Sequence, residues 1–158
     1  MLAEIPFQPE RVHLLGKTFT LKRQTAQYGA NYGYNSAAQE AKPWSHRLAE
    51  LKALAEMAVG MRFEAALCNL YSDGHAYIGW HQDAGHPDAI VSVSMGAVRE
   101  IRFAKKGSAR TVFGLELGHG SLLVIPGAVN EQFRHMVPKS AGVTDPRINV
   151  TFRKFHAA

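Results

Sequence analysis

A single cysteine, Cys68, rules out any internal disulfide, so the core must be held by apolar packing; such a composition suits a reducing compartment. Long apolar runs are missing too. The longest stretches, such as "SLLVIPG" and "AIVSVSMGA", fall far short of the roughly 20 residues that cross a bilayer. The opening "MLAEIPFQPE" has no basic segment leading into an apolar one, which is the usual export pattern. A soluble, cytoplasmic protein is the expectation. Charge is not gathered into blocks: 18 Lys plus Arg against 13 Asp plus Glu give net +5, scattered along the chain. That balance attracts polyanions mildly and identifies none. No fixed-period repeat or low-complexity tract is present, which excludes a solenoid or a linker.

What is there is material for one domain: 158 residues, 46% apolar and 20% charged. "PWSHRLAELKALAEMAVG" predicts a helix from about Trp44 to Ala58. Pro43 and Ser45 signal its start, Leu48, Leu51, Ala55 and Ala58 recur at helical spacing, and Gly60 signals its stop. Arg47, Glu50, Lys52 and Glu56 read as its solvated face. Short strand-like segments follow: "FEAALCNLY", "AYIGWHQD", "IVSVSMG", "REIRFAK", "TVFGLEL", "GSLLVIPG" and "RINVTFRKF". Turn formers at Asp73-Gly74, Lys106-Gly107 and Pro126-Gly127 separate many of them, a cadence of β-sandwiches and jelly rolls. Upstream, "RVHLLGKTFTLKRQTAQYG" reads as two or three strands packed outside that core, and "ANYGYNSAAQEAK" as an exposed loop.

In "YIGWHQDAGHPD", His81 and Asp83 stand two apart at the end of a strand pattern, where i and i+2 share a face. An imidazole and a carboxylate aimed together are two-thirds of a metal site. "QFRHMVPK" offers His135 as the third ligand, with His75, His86 and His119 as competitors and His13, His46 and His156 behind them. Position does not choose among them.

In "RINVTFR", Arg147, Asn149, Thr151 and Arg153 share one face and Ile148, Val150 and Phe152 the other. The polar face is either ordinary solvated polarity or a charged interior wall. As a wall, its guanidinium groups require an anion, and a carboxylate matches the planar fork of arginine. "LCNLY" repeats the pattern, with Asn69 and Tyr71 opposite Cys68 and Leu70. Two histidines and one carboxylate on one face of an octahedron leave three open positions, as in non-haem Fe(II) oxygenases. A 2-oxo acid can fill two of them, and a distal carboxylate would then need the arginine.

These residues match a known pattern: the chain resembles the AlkB-like Fe(II)/2-oxoglutarate-dependent dioxygenases, which dealkylate nucleic acid bases. The resemblance rests on "CNLYSDGHAYIGWHQD", "SVSMGAVREIRF", "LGHGSLLVIPG", "RHMVPK" and "PRINVTFR", in the family's order, over roughly Phe63 to Phe155. It implies a single domain, mainly β with a flanking helix, folded as a double-stranded β-helix, a jelly roll. It implies that Fe(II) is held by His81, Asp83 and His135, the catalytic and metal-binding set. The 2-oxoglutarate contacts fall on Asn69, Tyr71, Arg147, Asn149 and Arg153, with Arg147 on the distal carboxylate and Arg153 nearer the chelating end. His119 then belongs to a structural strand.

Residues 11–40 look like the family's nucleotide-recognition lid in short form, with Tyr34 stacking on the base, Tyr32 beside it and Arg23 preceding it, all three as substrate-binding residues. The chain departs from relatives at Leu15, where some carry a bulky aromatic, and at Ala84, Gly85 and His86, where many carry acids. The implied activity is oxidative demethylation of 1-methyladenine and 3-methylcytosine in DNA or RNA, single strands preferred, by a monomer. Alternatives are a 2-oxoglutarate dioxygenase acting on a protein or small molecule, a silent nucleic-acid-binding module and a structural cupin-like metal protein.

Overall fold

The computed structural model describes residues 4–14, 16–30, 40–83 and 87–155. Strands β1 (Gln8–Leu14), β2 (Lys17–Gly29), β3 (Ala65–Tyr71), β4 (Ile78–His81), β5 (Pro87–Gly96), β6 (Arg99–Lys105), β7 (Thr111–Leu117), β8 (Leu122–Pro126), β9 (Phe133–Val137) and β10 (Arg147–Phe155) are joined by two helices. These are α1 (His46–Val59) and α2 (Gly127–Gln132). A large sheet has the order β1-β2-β3-β10-β5-β8 and a small one β4-β9-β6-β7. From β3 onward the chain passes repeatedly from one sheet to the other, with antiparallel pairing throughout. That alternation is the winding of a double-stranded β-helix, a jelly roll.

The middle of the large sheet decides where the interior lies. β10 runs between β3 and β5, with Arg147 opposite Tyr71, Asn149 opposite Asn69 and Thr151 opposite Leu67. Its apolar residues Ile148, Val150 and Phe152 enter the main core with Cys68 and Val91, and with Leu48 and Ala55 of α1. Phe152 stacks against Phe63 and Trp44 at ring-centroid distances of 5.6 and 6.4 Å. Complete burial of such a side chain contributes about 2–3 kcal/mol. The helix therefore closes one face of the large sheet, and the opposite face looks toward the small sheet.

The helix departs from expectation at both faces. It begins at His46, and Ser45 at its N-cap makes no side-chain cap hydrogen bond. It stops where expected: Gly60 takes φ 67°, a left-handed conformation suited to glycine, and its N–H donates to the Glu56 carbonyl. Leu48 and Ala55 are buried and Leu51 packs partly, whereas Ala58 is exposed. Glu56, read as solvated, is buried. Its carboxylate accepts the Phe63 N–H at 2.8 Å, Lys52 Nζ at 2.5 Å and Arg62 Nη1 at 3.1 Å. The amide following the helix needs an acceptor there, and that need overrides the helical pattern.

Upstream, of the two or three strands expected, two form, but β2 is not an outer layer. Its second half pairs with β3, and Ala26 and Tyr28 belong to the main core. The stretch read as an exposed loop ties back to this strand at its far end, where the Lys42 N–H donates to the Gln27 carbonyl at 2.9 Å; residues 31–39 lie outside the described residues. Pro126-Gly127, read as a turn, opens the six-residue helix α2, and "FRHMV" forms β9.

Candidate active site

Strand pairing brings the first two candidate ligands together. His81 ends β4 directly opposite His135 on β9, and their ring centroids lie 4.3 Å apart with planes at 57°. Asp83 follows two residues past the end of β4. The ligand atoms of His81, Asp83 and His135 all lie within 4.8 Å of one another. His81 Nδ1 sits 2.8 Å from the Gly79 carbonyl, a contact that calls for the proton on Nδ1 and leaves the Nε2 lone pair free to ligate.

Electrostatics favour the same state. Burial drives the proton affinity of both imidazoles down, and for His81 the neighbouring His135 adds to the effect. Burial pushes the Asp83 carboxyl up, but Arg153, His135 and His81 together outweigh it and hold the group well below the usual carboxylate range. Neutral imidazoles beside an ionised carboxylate form a ligating set. Two nitrogens and one oxygen, with the remaining side open to a cavity, fit Fe(II).

The polar face of β10 lines that cavity: Arg147, Asn149, Thr151 and Arg153 are joined there by Arg23, Asn69, Tyr71 and Ser92. Ordinary solvated polarity is excluded, because Arg147 is only 2% exposed and Arg153 only 1%. Arg153 Nη2 donates to Asp83 Oδ1 at 2.9 Å. At the opposite end, Arg147 Nη2 donates to Ser94 Oγ at 2.8 Å, while its buried Nε and Nη1 find no hydrogen-bond acceptor among the described residues. Burial lowers the pKa of this guanidinium; the Tyr71 phenol works against that and nearby Arg99 adds to it. Unpartnered N–H groups on a buried guanidinium are what a distal carboxylate would satisfy. The residues therefore fit both Fe(II) and a dicarboxylate such as 2-oxoglutarate.

The middle of the wall is a hydrogen-bonded row. Asn149 Nδ2 donates to Ser92 Oγ at 2.6 Å, and Asn69 Nδ2 to Thr151 Oγ1 at 3.2 Å. Arg23 Nη1 donates to Asn69 Oδ1 at 2.9 Å and its other end pairs with Glu10. Arg23, expected to contact substrate, thus stands in the cavity wall beside Asn69. Tyr32 and Tyr34 lie outside the described residues, as do Leu15, Ala84, Gly85, His86 and His156.

Of the competing histidines, His46 pairs with Glu50 on the outside of α1, and His75 sits exposed in the turn after β3. His119, expected in a strand, occupies the turn between β7 and β8, where Nδ1 accepts the Gly96 N–H at 3.1 Å. Among the described residues only His135 joins His81 and Asp83.

Four contributors went unread in the sequence. Ser92 and Ser94 hold the cavity side chains of β10. Arg99 donates to the carbonyls of Asp73, Ala76 and Pro138 at 2.6–2.9 Å, and it shares the Tyr71 ring with Arg147, each guanidinium 5.4 Å from its centroid. Asn130 grips the main chain at Asp83. The alternation of "IVSVS" was the available signal for the serines; the other two bind main chain and leave no pattern.

Residues 2–153 match the model of the 2OG-Fe(II) oxygenase superfamily. The chain is 34% identical over 160 residues to "DNA oxidative demethylase ALKBH2" of Bos taurus, covering 91% of this chain and 57% of that relative. The same-named protein of Homo sapiens is also 34% identical over 160 residues, covering 91% and 60%. "Alpha-ketoglutarate-dependent dioxygenase alkB homolog 3" of Homo sapiens is 35% identical over 150 residues, covering 86% and 52%. The chain thus spans a little over half the length of these relatives. Among solved structures, "The structure of OsALKBH1" superimposes with a TM-score of 0.64 at 18% identity, covering 85% of this chain and 78% of that one, and supports the jelly roll. With the His81–Asp83–His135 cluster and the buried arginine wall in place, the chain belongs to the 2OG-Fe(II) oxygenase superfamily, in its AlkB-like branch.

Proposed function

We propose that this chain oxidatively removes methyl groups from 1-methyladenine and 3-methylcytosine in DNA or RNA, with single strands preferred. The observation that carries the reading is one cavity holding His81, Asp83 and His135 at one end and, at the other, N–H groups of Arg147 that find no acceptor among the described residues. Fe(II) held by the three ligands, with 2-oxoglutarate and oxygen, supplies the oxidation of the N-alkyl carbon; the hydroxyalkyl product then releases an aldehyde and leaves the bare base. Arg147 binds and orients the distal carboxylate, Tyr71 and Asn69 line its path, and Arg153 keeps Asp83 ionised and fixed.

A cationic hairpin favours nucleic acid over a protein or small-molecule substrate. Lys105, Lys106 and Arg110 stand exposed around the β6–β7 turn. That turn is tied to α2 and β9: the Lys106 N–H donates to the Gln132 carbonyl at 2.8 Å and Arg134 Nη2 to the Ser108 carbonyl at 2.6 Å. Lys105 stands opposite Phe133, two residues along β9 from His135, and a phosphate backbone held by the hairpin would lie on the side of the sheet edge nearest that ligand. The demethylase names of the relatives point the same way.

Extruding a base from a duplex costs a few kcal/mol, which supports the single-strand preference for a chain whose lid, as the family resemblance implies it, is short. A monomer in the cytoplasm completes the proposal. The test is mass spectrometry of a single-stranded oligonucleotide carrying 3-methylcytosine, and of its duplex, with Fe(II), ascorbate and 2-oxoglutarate, beside a His81→Ala control. Loss of a methyl mass only with intact protein and 2-oxoglutarate is expected, faster on the single strand. Succinate without methyl loss would move the substrate to another class, and faster repair of the duplex at low salt would remove the strand preference.

A further inference from the structure

We propose that Asn130 is a positioning residue for the metal site, acting on the main chain of Asp83 rather than on its carboxylate. The inference rests on the reading of His81, Asp83 and His135 as metal ligands. The β4–β9 ladder ends at the His81–His135 pair, so Asp83 lies beyond its last rung. A carboxylate on an unpaired chain end would wander, whereas a ligand has to be held to roughly half an ångström. Asn130 replaces the missing rung. Its Oδ1 accepts the Asp83 N–H at 3.1 Å and its Nδ2 donates to the Asp83 carbonyl at 3.0 Å, with the residue only 6% exposed.

The grip is returned from the other side. Gln82 Nε2 donates to the carbonyl of Asn130 at 2.6 Å and to that of Glu131 at 3.1 Å. The helix beneath is seated by Val129, which packs against the cluster of Ile90, Ile101 and Ile125. It runs directly into β9, which carries His135. One continuous segment, residues 127–137, therefore places two of the three ligands: His135 through its strand and Asp83 through Asn130. Arg153 fixes the same carboxylate independently, from β10. The chemistry is specific to a primary amide, because a carboxylate at position 130 would face the Asp83 carbonyl and a hydroxyl spans only one of the two bonds.

The experiment measures Mn(II) binding to the intact apoprotein by calorimetry and the visible absorption of its Co(II) form, with apoprotein Tm recorded alongside. Asn130→Ala and Asn130→Leu are compared with Val129→Ala, which loosens α2 and leaves the amide in place. Metal affinity should fall 10- to 100-fold in both Asn130 variants, the range for partners that orient a ligand, and the Co(II) spectrum should change. Val129→Ala should lower Tm while keeping affinity and spectrum. Unchanged affinity in Asn130→Leu, or a loss no greater than that of Val129→Ala, overturns the proposal and leaves the ligand assignment standing. Wild-type affinity equal to that of His81→Ala overturns the assignment and the proposal with it. If neither Asn130 variant folds, hydrogen exchange of the wild-type apoprotein decides: a protected Asp83 amide supports the clamp, and one exchanging at the rate of a free chain overturns it.

Discussion

Arg153 donates to Asp83 across 2.9 Å, so a carboxylate of the metal site is bonded to the central strand of the large sheet. Both side chains are almost fully buried. Removing one member of such a pair leaves a stranded charge, which typically costs about 3–5 kcal/mol. Arg153→Met should lose that much in denaturant unfolding, and Arg153→Lys should recover only part of it, since an ammonium lacks the planar fork. A loss under about 1 kcal/mol would show that Asp83 has another counter-charge.

Arg147 is the corresponding test at the other end of the cavity. With Nε and Nη1 awaiting an acceptor, Arg147→Met should weaken 2-oxoglutarate binding by about 3 kcal/mol, roughly 10²-fold. Calorimetry on the Mn(II)-loaded protein measures this, and Mn(II) affinity itself should stay close to wild type. Equal losses for metal and cosubstrate would mean that the variant has disturbed the whole wall.

Glu56 makes stability depend on pH. Burial acts to raise its pKa, but hydrogen bonds from Lys52, Phe63 and Arg62 prevail and lower it. A carboxyl whose pKa is depressed by folding contributes stability above its unfolded value, near 4.3, and loses that contribution as pH falls through the folded value. Glu56→Gln should therefore cost about 1–2 kcal/mol at pH 7 and progressively less toward pH 3. Denaturant curves across that range check it, and a constant difference would contradict the linkage.

Cys68 should be chemically silent in the folded state. It lies fully inside the main core, and burial pushes its thiol up to about 12. A thiol reagent at pH 8 should label it only after unfolding. Rapid labelling of the native protein would show that the sheet opens at β3.

Salt dependence tests the cationic hairpin. Replacing Lys105, Lys106 and Arg110 with alanine should reduce the slope of log affinity against log salt by about 2 for a single strand, at roughly 0.7 per phosphate contact. Mn(II) affinity should not change. An unaltered slope would place the phosphate track elsewhere.

The parts of the fold and site that could be read in advance are those written as alternation. Along β10, polar and apolar residues take turns, and both sets proved buried, in different interiors. The choice of His135 needed the pairing of β4 with β9, which no local pattern records. Glu56 looked like a solvated residue because helical spacing is blind to the amide of Phe63. The helix α2, at six residues, is too short for periodicity to register, and Asn130 recognises main chain, which every sequence possesses. Tyr32 and Tyr34 fall outside the described residues, and their stacking role stays with the family resemblance.

The two-sided character of β10 also bears on how errors in folding show themselves. A slip of one residue against β3 and β5 would turn Arg147 and Arg153 into the oily layer beneath α1 and Phe152 into the polar chamber. Such a molecule would not persist as a folded but inactive impostor; it would come apart. Preparations of this protein should therefore contain few dead copies, and titration with 2-oxoglutarate in the presence of Mn(II) should count close to one binding-competent site for every folded chain.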